Sequence, residues 1–471
     1  MSKNKEASNQ KKWYKKIPNA YVLLMIIIVL VTILTYIIPA GEFAREEMSN
    51  GRIGVIAGSF EFVEQSPVGI ISMFRAIPEG MVAAASIVFI VFFAGALFNT
   101  IESTGALENG IGVLVKKLKR KENAGTKMIW IMTFVFGILG AVVGFENNIA
   151  IVPIGVMIAI AMGYDNLVGS GIAIASIGLG FATSPINPYT VGVSHAIADL
   201  PIFSGFLLRG AFMLVSLAIL AHHTNRYANK VEKDKSNSLA KGLDTSDLEL
   251  EQEIEEYKLT STHKAVIGVL VLIIATIIFG TLQFSWYITE ITTVFLIGAI
   301  IVGIVARYNP DKIIDVMIEG ASKLTSGALI IGVARGISVV LEKGKIADTI
   351  IHSLSVPLED LPSLISGILM SLSHCVINFF IPSGSGQAMA TMPIMIPLSD
   401  LVGISRQTAV LAFQIGDGVM NLIVPTLGGL LAMLALARVP FDRWFKFIYP
   451  MVIKVILIGW LFITIATLIG Y

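Results

Sequence analysis

Residues 361–399 read LPSLISGILMSLSHCVINFFIPSGSGQAMATMPIMIPLS: two apolar arms meet at the turn-prone tip Pro382-Ser383-Gly384-Ser385-Gly386-Gln387. Backbone without regular helix is tolerated at membrane depth only where protein buries it or water lines it. The segment therefore reads as a re-entrant helical hairpin. Residues 127–162 repeat the plan around the tip Phe145-Glu146-Asn147-Asn148. Sliding the chain against itself by 240 positions pairs further punctuation: Glu79/Glu319, Gly80/Gly320, Ser86/Ser326, Glu102/Glu342, Pro153/Pro393, Gly163/Gly403, Gly178/Gly418 and Pro185/Pro425. The halves read as an ancient duplication. Paired interruptions in two apolar halves are the mark of a secondary transporter with its site near the bilayer midplane.

Composition agrees with that class. Of 471 residues, 55% are apolar and 14% charged, with a mean hydropathy of +0.79; an ordinary soluble protein is excluded and a polytopic membrane protein is expected, with the lipid bilayer as its surroundings. The net charge of +1 is spread over membrane-flanking loops and gives no nucleic-acid partner. A single cysteine, Cys375, reads as a small buried hydrophobe, and the six histidines lack metal-ligand spacing. The phosphate-binding loop of nucleotide-driven pumps is absent, as is any zinc-protease or paired-aspartate motif, so the chain reads as no enzyme and as needing no cofactor beyond a coupling ion, Na+ or H+.

Apolar runs long enough to span predict nine transmembrane helices: 20–39, 81–101, 166–198, 203–223, 264–283, 287–306, 326–342, 403–437 and 446–469. The basic N-terminal residues 1–19, the cluster Lys116 to Lys121, residues Arg226 to Lys241, Arg307 with Lys312, and Arg438 to Lys446 then share one side, which the positive-inside rule makes cytoplasmic. The C-terminus falls outside. Span parity makes the repeats, 20–223 and 263–471, inverted, joined by a cytoplasmic linker over 224–262. Residues 105–118 and 345–356 read as paired interfacial helices, and 41–80 as the longest external segment. The fold class is all-α, with two hairpins and two broken helices, 166–198 and 403–437.

The breaks carry the chemistry. Ser184-Pro185-Ile186-Asn187-Pro188-Tyr189-Thr190 interrupts the first broken helix, and Gly416-Asp417-Gly418 through Pro425-Thr426-Leu427-Gly428-Gly429 the second. An acid near the bilayer centre costs roughly 2.5 to 3.5 kcal/mol on insertion scales and persists mainly for function. Glu146 and Asp417 are accordingly the expected ion-coupling residues, with Arg335, mid-span, as a candidate ion-pair partner. Substrate is expected at Glu146, Asn147, Asn148, Asn187, Ser383, Ser385, Gln387, Asp417, Asn421 and Thr426, whose oxygens suit a polar solute or Na+. A sodium site is expected near Asn148, Ser184, Ser385 and Asp417. His195 and His374 read as packing histidines, Arg209 as snorkelling to the interface, and Glu102 and Glu342 as caps of the interfacial helices.

Glu146-Asn147-Asn148, Ile381-Pro382-Ser383-Gly384-Ser385-Gly386-Gln387-Ala388 and Gln414-Ile415-Gly416-Asp417-Gly418 with Asn421 and Pro425-Thr426 resemble the YfcC family. That family is grouped with anaerobic C4-dicarboxylate carriers and arginine/ornithine exchangers in the ion transporter superfamily. The resemblance implies a homodimer in the plasma membrane (bacterial inner membrane), a scaffold holding mobile hairpins, and an elevator-type movement. Members are commonly labelled basic amino acid antiporters, so the resemblance implies an amino-acid-like small-molecule substrate moved by exchange or ion coupling, with C4-dicarboxylates or other carboxylates as the alternative. The exchangers tend to carry consecutive acids at the first hairpin tip; Asn147 and Asn148 depart from that pattern.

Overall fold

The computed structural model describes residues 20–47, 53–56, 58–119, 123–201, 203–249, 256–284, 286–358 and 361–471, so the basic cluster at 1–19 and Arg120-Lys121 lie outside the described residues. Helices dominate. The first is α1 (Ala20–Ile37); the external segment follows as two small antiparallel pairs, β1 (Gly41–Glu42) with β4 (Glu61–Phe62) and β2 (Arg45–Glu47) with β3 (Ile53–Val55). Next come α2 (Ile70–Ala83) and α3 (Ala85–Ser103), joined at Ala84, then α4 (Ala106–Lys119) at the expected interfacial position. The span expected over 81–101 corresponds to α3, and the mixed-polarity α2 precedes it as a separate helix.

The first hairpin comprises α5 (Ala124–Val143), a 3-10 tip over Glu146–Ile151, and α6 (Val152–Ala161). Its broken partner is α7 (Asn166–Ser170), a π turn over Gly171–Ala175, α8 (Ser176–Thr183), a second π turn over Pro188–Gly192 and α9 (Val193–Ile197). Helix α10 (Phe206–Lys233) leads to the connecting segment, followed by α11 (Ser261–Phe284), α12 (Ile288–Val305), α13 (Pro310–Lys323), α14 (Thr325–Lys343) and the short α15 (Ala347–Ser355). The second hairpin is α16 (Ser363–Phe380) with α17 (Gly384–Leu401); its broken partner is α18 (Arg406–Gln414), a π turn over Ile415–Val419 and α19 (Gly428–Leu436), and α20 (Phe441–Ile469) closes the chain. Among the described residues, eight helices are long and apolar enough to cross a membrane, or nine with α13 and α14 taken as one span bent by 47°.

Two of those eight, Ala124–Val143 and Ser363–Phe380, are hairpin arms, so the arms are longer than their short apolar stretches suggest. They nonetheless turn back. Ser363 Oγ donates to the Val402 carbonyl at 2.6 Å, joining the start of α16 to the end of α17. Gly125, at the start of α5, packs against Tyr164, just past α6. Thr126 bonds Asn225 at 3.0 Å, near the end of α10 that leads into the connecting segment. Gly367 instead packs near Ile463 and Thr467, close to the C-terminal Tyr471. The hairpins therefore open toward opposite ends of α10 and α20, here termed the linker end and the C-terminal end.

Close helix contact explains why these elements sit where they do. Helices α5 and α8 cross so tightly that a Cβ on Gly140 of α5 would enter the Ile177 carbonyl and one on Gly180 of α8 the Gly137 carbonyl. Small residues let backbones approach where lipid supplies no hydrophobic drive to pack. The connecting segment is docked rather than merely solvated: Arg438 pairs with Asp247 at 2.5 Å, Ser238 and Tyr227 both bond Asp165, and Tyr257 is buried against Gly112. Arg209 overturns the snorkelling expectation. It is fully buried at the C-terminal end, donating to the Ser204 carbonyl at 2.7 Å and to Gln407 Oε1 at 2.8 Å, with its guanidinium 5.8 Å from the Tyr471 ring centre. Its position near the end of an apolar run concealed the fact that Ser204, Gln407 and Tyr471 close around it.

Candidate functional site

Each interruption frees backbone groups that must find partners. At the first hairpin tip, Gly144 takes φ +109°, ending α5 in a conformation that a side chain would disfavour. Asn147 and Asn148 return their amides to α5, at Val143 O (2.7 Å) and Gly144 O (2.5 Å). At the second tip, Ser383 N-caps α17 by accepting from Gly386 N. In the first broken helix Asn187 accepts from Tyr189 N at 2.8 Å and donates to Phe181 O at 3.0 Å. In the second, Trp444 donates to the freed Leu422 carbonyl at 2.7 Å, and Thr426 reaches the Phe379 carbonyl at 2.8 Å. Three π turns lie along these two broken helices, a distortion that clusters at functional sites.

The tips and breaks enclose one cavity of about 240 Å³. The first tip contributes Glu146 and Asn147; the second contributes Pro382 to Ser385; the second broken helix contributes Asn421 and Thr426 to Gly428. The remaining wall comes from Ala83 and Ala84 at the α2–α3 joint, from Ile331, Arg335 and Ser338 of α14, and from Tyr189 and Tyr287. The aromatic pair is fixed by a Tyr189 hydroxyl bond to the Trp286 carbonyl at 3.0 Å and a ring separation of 5.1 Å. Glu146 lies against Gly429 in the first turn of α19, where the helix dipole favours an anion. The lining thus holds one carboxylate and one guanidinium.

Asp417 stands behind this lining rather than in it. It is fully buried within the π turn, accepting from Asn378 Nδ2 at 3.1 Å through Oδ1, while Oδ2 has no partner among the described residues. Asn378 also donates to Asn421 Oδ1 at 3.0 Å, linking the hidden acid to a cavity residue. A Cβ on Gly384 would meet both Thr190 and, at 3.3 Å, Asp417 Oδ2, so only the glycine of the second tip separates the acid from the first broken helix.

Six of the ten expected substrate residues line the cavity: Glu146, Asn147, Ser383, Ser385, Asn421 and Thr426. The others do different work. Asn148 ties the tip to α5, Asn187 caps its own break, and Gln387 turns inward to bond the His374 carbonyl at 3.0 Å. The expected sodium set is divided: Ser184 is engaged with the Ala141 carbonyl and Ile186 N, Asn148 with α5, while Ser385 faces the cavity and Asp417 lies behind it. Arg335 lines the cavity but pairs with neither acid among the described residues; its guanidinium is 3.9 Å from Glu342, in the last turn of α14, and α15 begins without a side-chain cap, so Glu342 does not cap it. Glu146, on the first tip, also lines the cavity without an ion pair to Arg335 among the described residues, so both charges are available to the space. Asn378, Tyr189 and Tyr287 were not singled out from sequence. A lone Asn in an apolar arm is a polar signal of the kind that marks Asp417, whereas aromatics are too frequent in membrane helices to stand out.

The family model described as "DcuC: C4-dicarboxylate anaerobic carrier" matches residues 17–468. The chain is similar to the "Putative basic amino acid antiporter YfcC" of Escherichia coli K12, 29% identical and covering 95% of each chain. It is similar also to a protein of Haemophilus influenzae described as uncharacterized, 28% identical over 96% of this chain and 97% of the other. Among solved structures, the Alcanivorax borkumensis YdaH transporter aligns over 96% of this chain and 99% of that one at 15% identity and a TM-score of 0.44. Neisseria gonorrhoeae MtrF aligns over 96% of both at 16% identity and 0.44.

Proposed function

Because the chain belongs to the C4-dicarboxylate anaerobic carrier family, and so is a membrane transport protein rather than an enzyme, we propose that it is a secondary active transporter of amino-acid-like substrates. The observation that carries this reading is the charge of the cavity lining, which holds one carboxylate, Glu146, and one guanidinium, Arg335. A zwitterion matches both: its ammonium meets Glu146, and its carboxylate meets Arg335 and the N-terminal turn of α17 at Ser383 to Ser385. With Asp417 withdrawn behind the wall, the lining carries no surplus negative charge, so a neutral zwitterion suits it better than a doubly cationic side chain would. The Escherichia coli relative is named for basic amino acids, which supports an amino acid substrate and places the basic ones beside the neutral ones as ligands to test.

Asp417 is the coupling residue in this proposal. A buried carboxylate with one oxygen lacking a donor gains from a proton or a cation, and through Asn378 and Asn421 its state is felt at the cavity. The hairpins are re-entrant in a nine-span inverted repeat, a reading supported by their opening toward opposite ends. The N-terminus is cytoplasmic, the C-terminus external, and the homodimer and elevator-type movement implied by the family resemblance complete the proposal. In proteoliposomes, saturable amino acid uptake driven by a pH or sodium gradient, or by exchange, is expected, and its loss in Asp417→Asn. Uptake that continues undiminished in that variant rejects the assignment.

A C4-dicarboxylate is the second reading. It is favoured by the family description and by two helix N-termini, those of α17 and α19, bordering the cavity beside Arg335. Glu146 opposes it by like charge, so competition by succinate but not by amino acids would select this reading.

A further inference from the structure

Buried polar groups without partners are few in native proteins, and ordered water usually satisfies them. Here they are not scattered: nine of the sixteen such side-chain atoms among the described residues lie on α9 with its π turn, α16, α17 and α18 with its π turn. On α16, Ser371, His374 and Asn378 follow one helical face, and Gly416 packs against Ser371 and His374 so closely that a Cβ there would strike both. On the first broken helix Thr190 and Ser194 are one turn apart; on the second, Gln414 stands one turn before Asp417. Each row climbs from the depth of Asp417 toward the C-terminal end, where His195 accepts from Phe203 N and Gln407 meets Arg209.

The unpaired atoms are of both kinds. Asp417 Oδ2, Asn378 Oδ1, Gln387 Oε1 and Gln414 Oε1 are acceptors. His195 Nδ1 accepts a backbone N–H, and His374 Nδ1 faces Gln387 Nε2 at 3.3 Å, so in the neutral rings both unpaired Nε2 atoms are donors. A lone cation would satisfy acceptors only, whereas water both donates and accepts. Cavity residues Ser383 and Ser385 are not part of this seam; it runs behind the second tip.

We propose that the seam is a water-filled proton route linking the C-terminal end of the molecule to Asp417 without passing through the substrate cavity. The proposal rests on Asp417 as the coupling residue. A proton enters on water near His195, passes between waters held by Ser194, Ser371 and His374, and ends on Asp417 Oδ2; each water that accepts a proton releases another, so no group is consumed. Of the other ionisable groups around this path, Cys375 of α16 neighbours Asp417, Glu146 lines the substrate cavity, and Arg209 is held at the C-terminal end by Ser204 and Gln407, a fixed positive charge that opposes a proton beside it and so keeps the route on the His195 side.

The test is hydrogen–deuterium exchange at the Asp417 carboxyl, followed by infrared difference spectroscopy on full-length protein in liposomes at low pH, the band being assigned by its loss in Asp417→Asn. Exchange should be at least tenfold slower in Ser371→Val and, independently, in Ser194→Val, each checked for unchanged elution and helical content. It should be unchanged in Ala83→Trp, which fills the cavity from the α2–α3 joint. Equal exchange in both seam variants, or slowing in Ala83→Trp alone, overturns the route while leaving Asp417 as a proton carrier. Absence of any protonated Asp417 band overturns proton handling by Asp417 and the route with it.

Discussion

Asn378 of α16 donates its side-chain amide to Asp417 Oδ1 at 3.1 Å, behind the cavity lining and within the second broken helix's π turn. The bond joins a hairpin arm to a π turn, two elements expected to change environment together. Replacing Asn378 with Leu leaves the carboxylate without its donor and Asn421 without its partner. Losing a buried hydrogen bond in this way costs about 1–3 kcal/mol. We expect a lower unfolding midpoint in detergent and at least tenfold weaker gradient-driven uptake; an uncoupled but undiminished flux in Asn378→Leu would instead assign Asn378 to coupling alone.

Glu146 and Arg335 are predicted to divide substrate recognition between them. Glu146→Gln should weaken binding of amino acids at least tenfold while sparing ligands without an ammonium. Arg335→Ala should weaken every carboxylate-bearing ligand, and Arg335→Lys should recover only part, since a point charge replaces the planar fork. Competition binding with matched pairs, an amino acid against its deaminated analogue, measures the split.

Arg209 is predicted to act on stability and not on transport. Its buried guanidinium ties Ser204, just before α10, to Gln407 of α18, and hydrogen bonds to a charged group contribute about 1.5–3 kcal/mol. Arg209→Leu should lower the unfolding midpoint by several degrees, while the apparent affinity of the protein that remains folded stays at the wild-type value.

The close-packed glycines of α5 and α8 leave no space for a side chain. Gly140→Val would push a branched group into the Ile177 carbonyl, and overpacking of this kind costs about 1–3 kcal/mol or displaces the helices. Because α5 carries the first tip, the substitution is expected to lower both thermal stability and substrate affinity; Gly210→Val, on a face of α10 with only Phe206 nearby, serves as the tolerated control.

Much of the helical order was legible because the bilayer enforces it: long apolar runs must be helices, and polar tips inside them must be breaks. Glu146, Ser383 and Thr426 were visible on those grounds and do line the cavity. Less legible was which oxygen faces the solute and which repairs the backbone. Asn187 and Asn421 occupy similar breaks, yet Asn187 spends its amide on its own turn and Asn421 borders the cavity. Sequence spacing cannot distinguish them, because the outcome depends on side-chain direction at a distorted helix. Asn378 was missed and Arg209 misjudged for a related reason: each gains a partner from a segment dozens to hundreds of residues away.

The central claim is that the cavity selects a solute bearing both an ammonium and a carboxylate. Thermal unfolding of the purified full-length protein, scanned across amino acids and C4-dicarboxylates, tests it directly, since a ligand at a hundred times its Kd stabilises the folded state by about 2.7 kcal/mol. The account predicts a rise in melting temperature with one or more amino acids, removed by Glu146→Gln and by Arg335→Ala. A rise with dicarboxylates alone, or one that survives both substitutions, would contradict it.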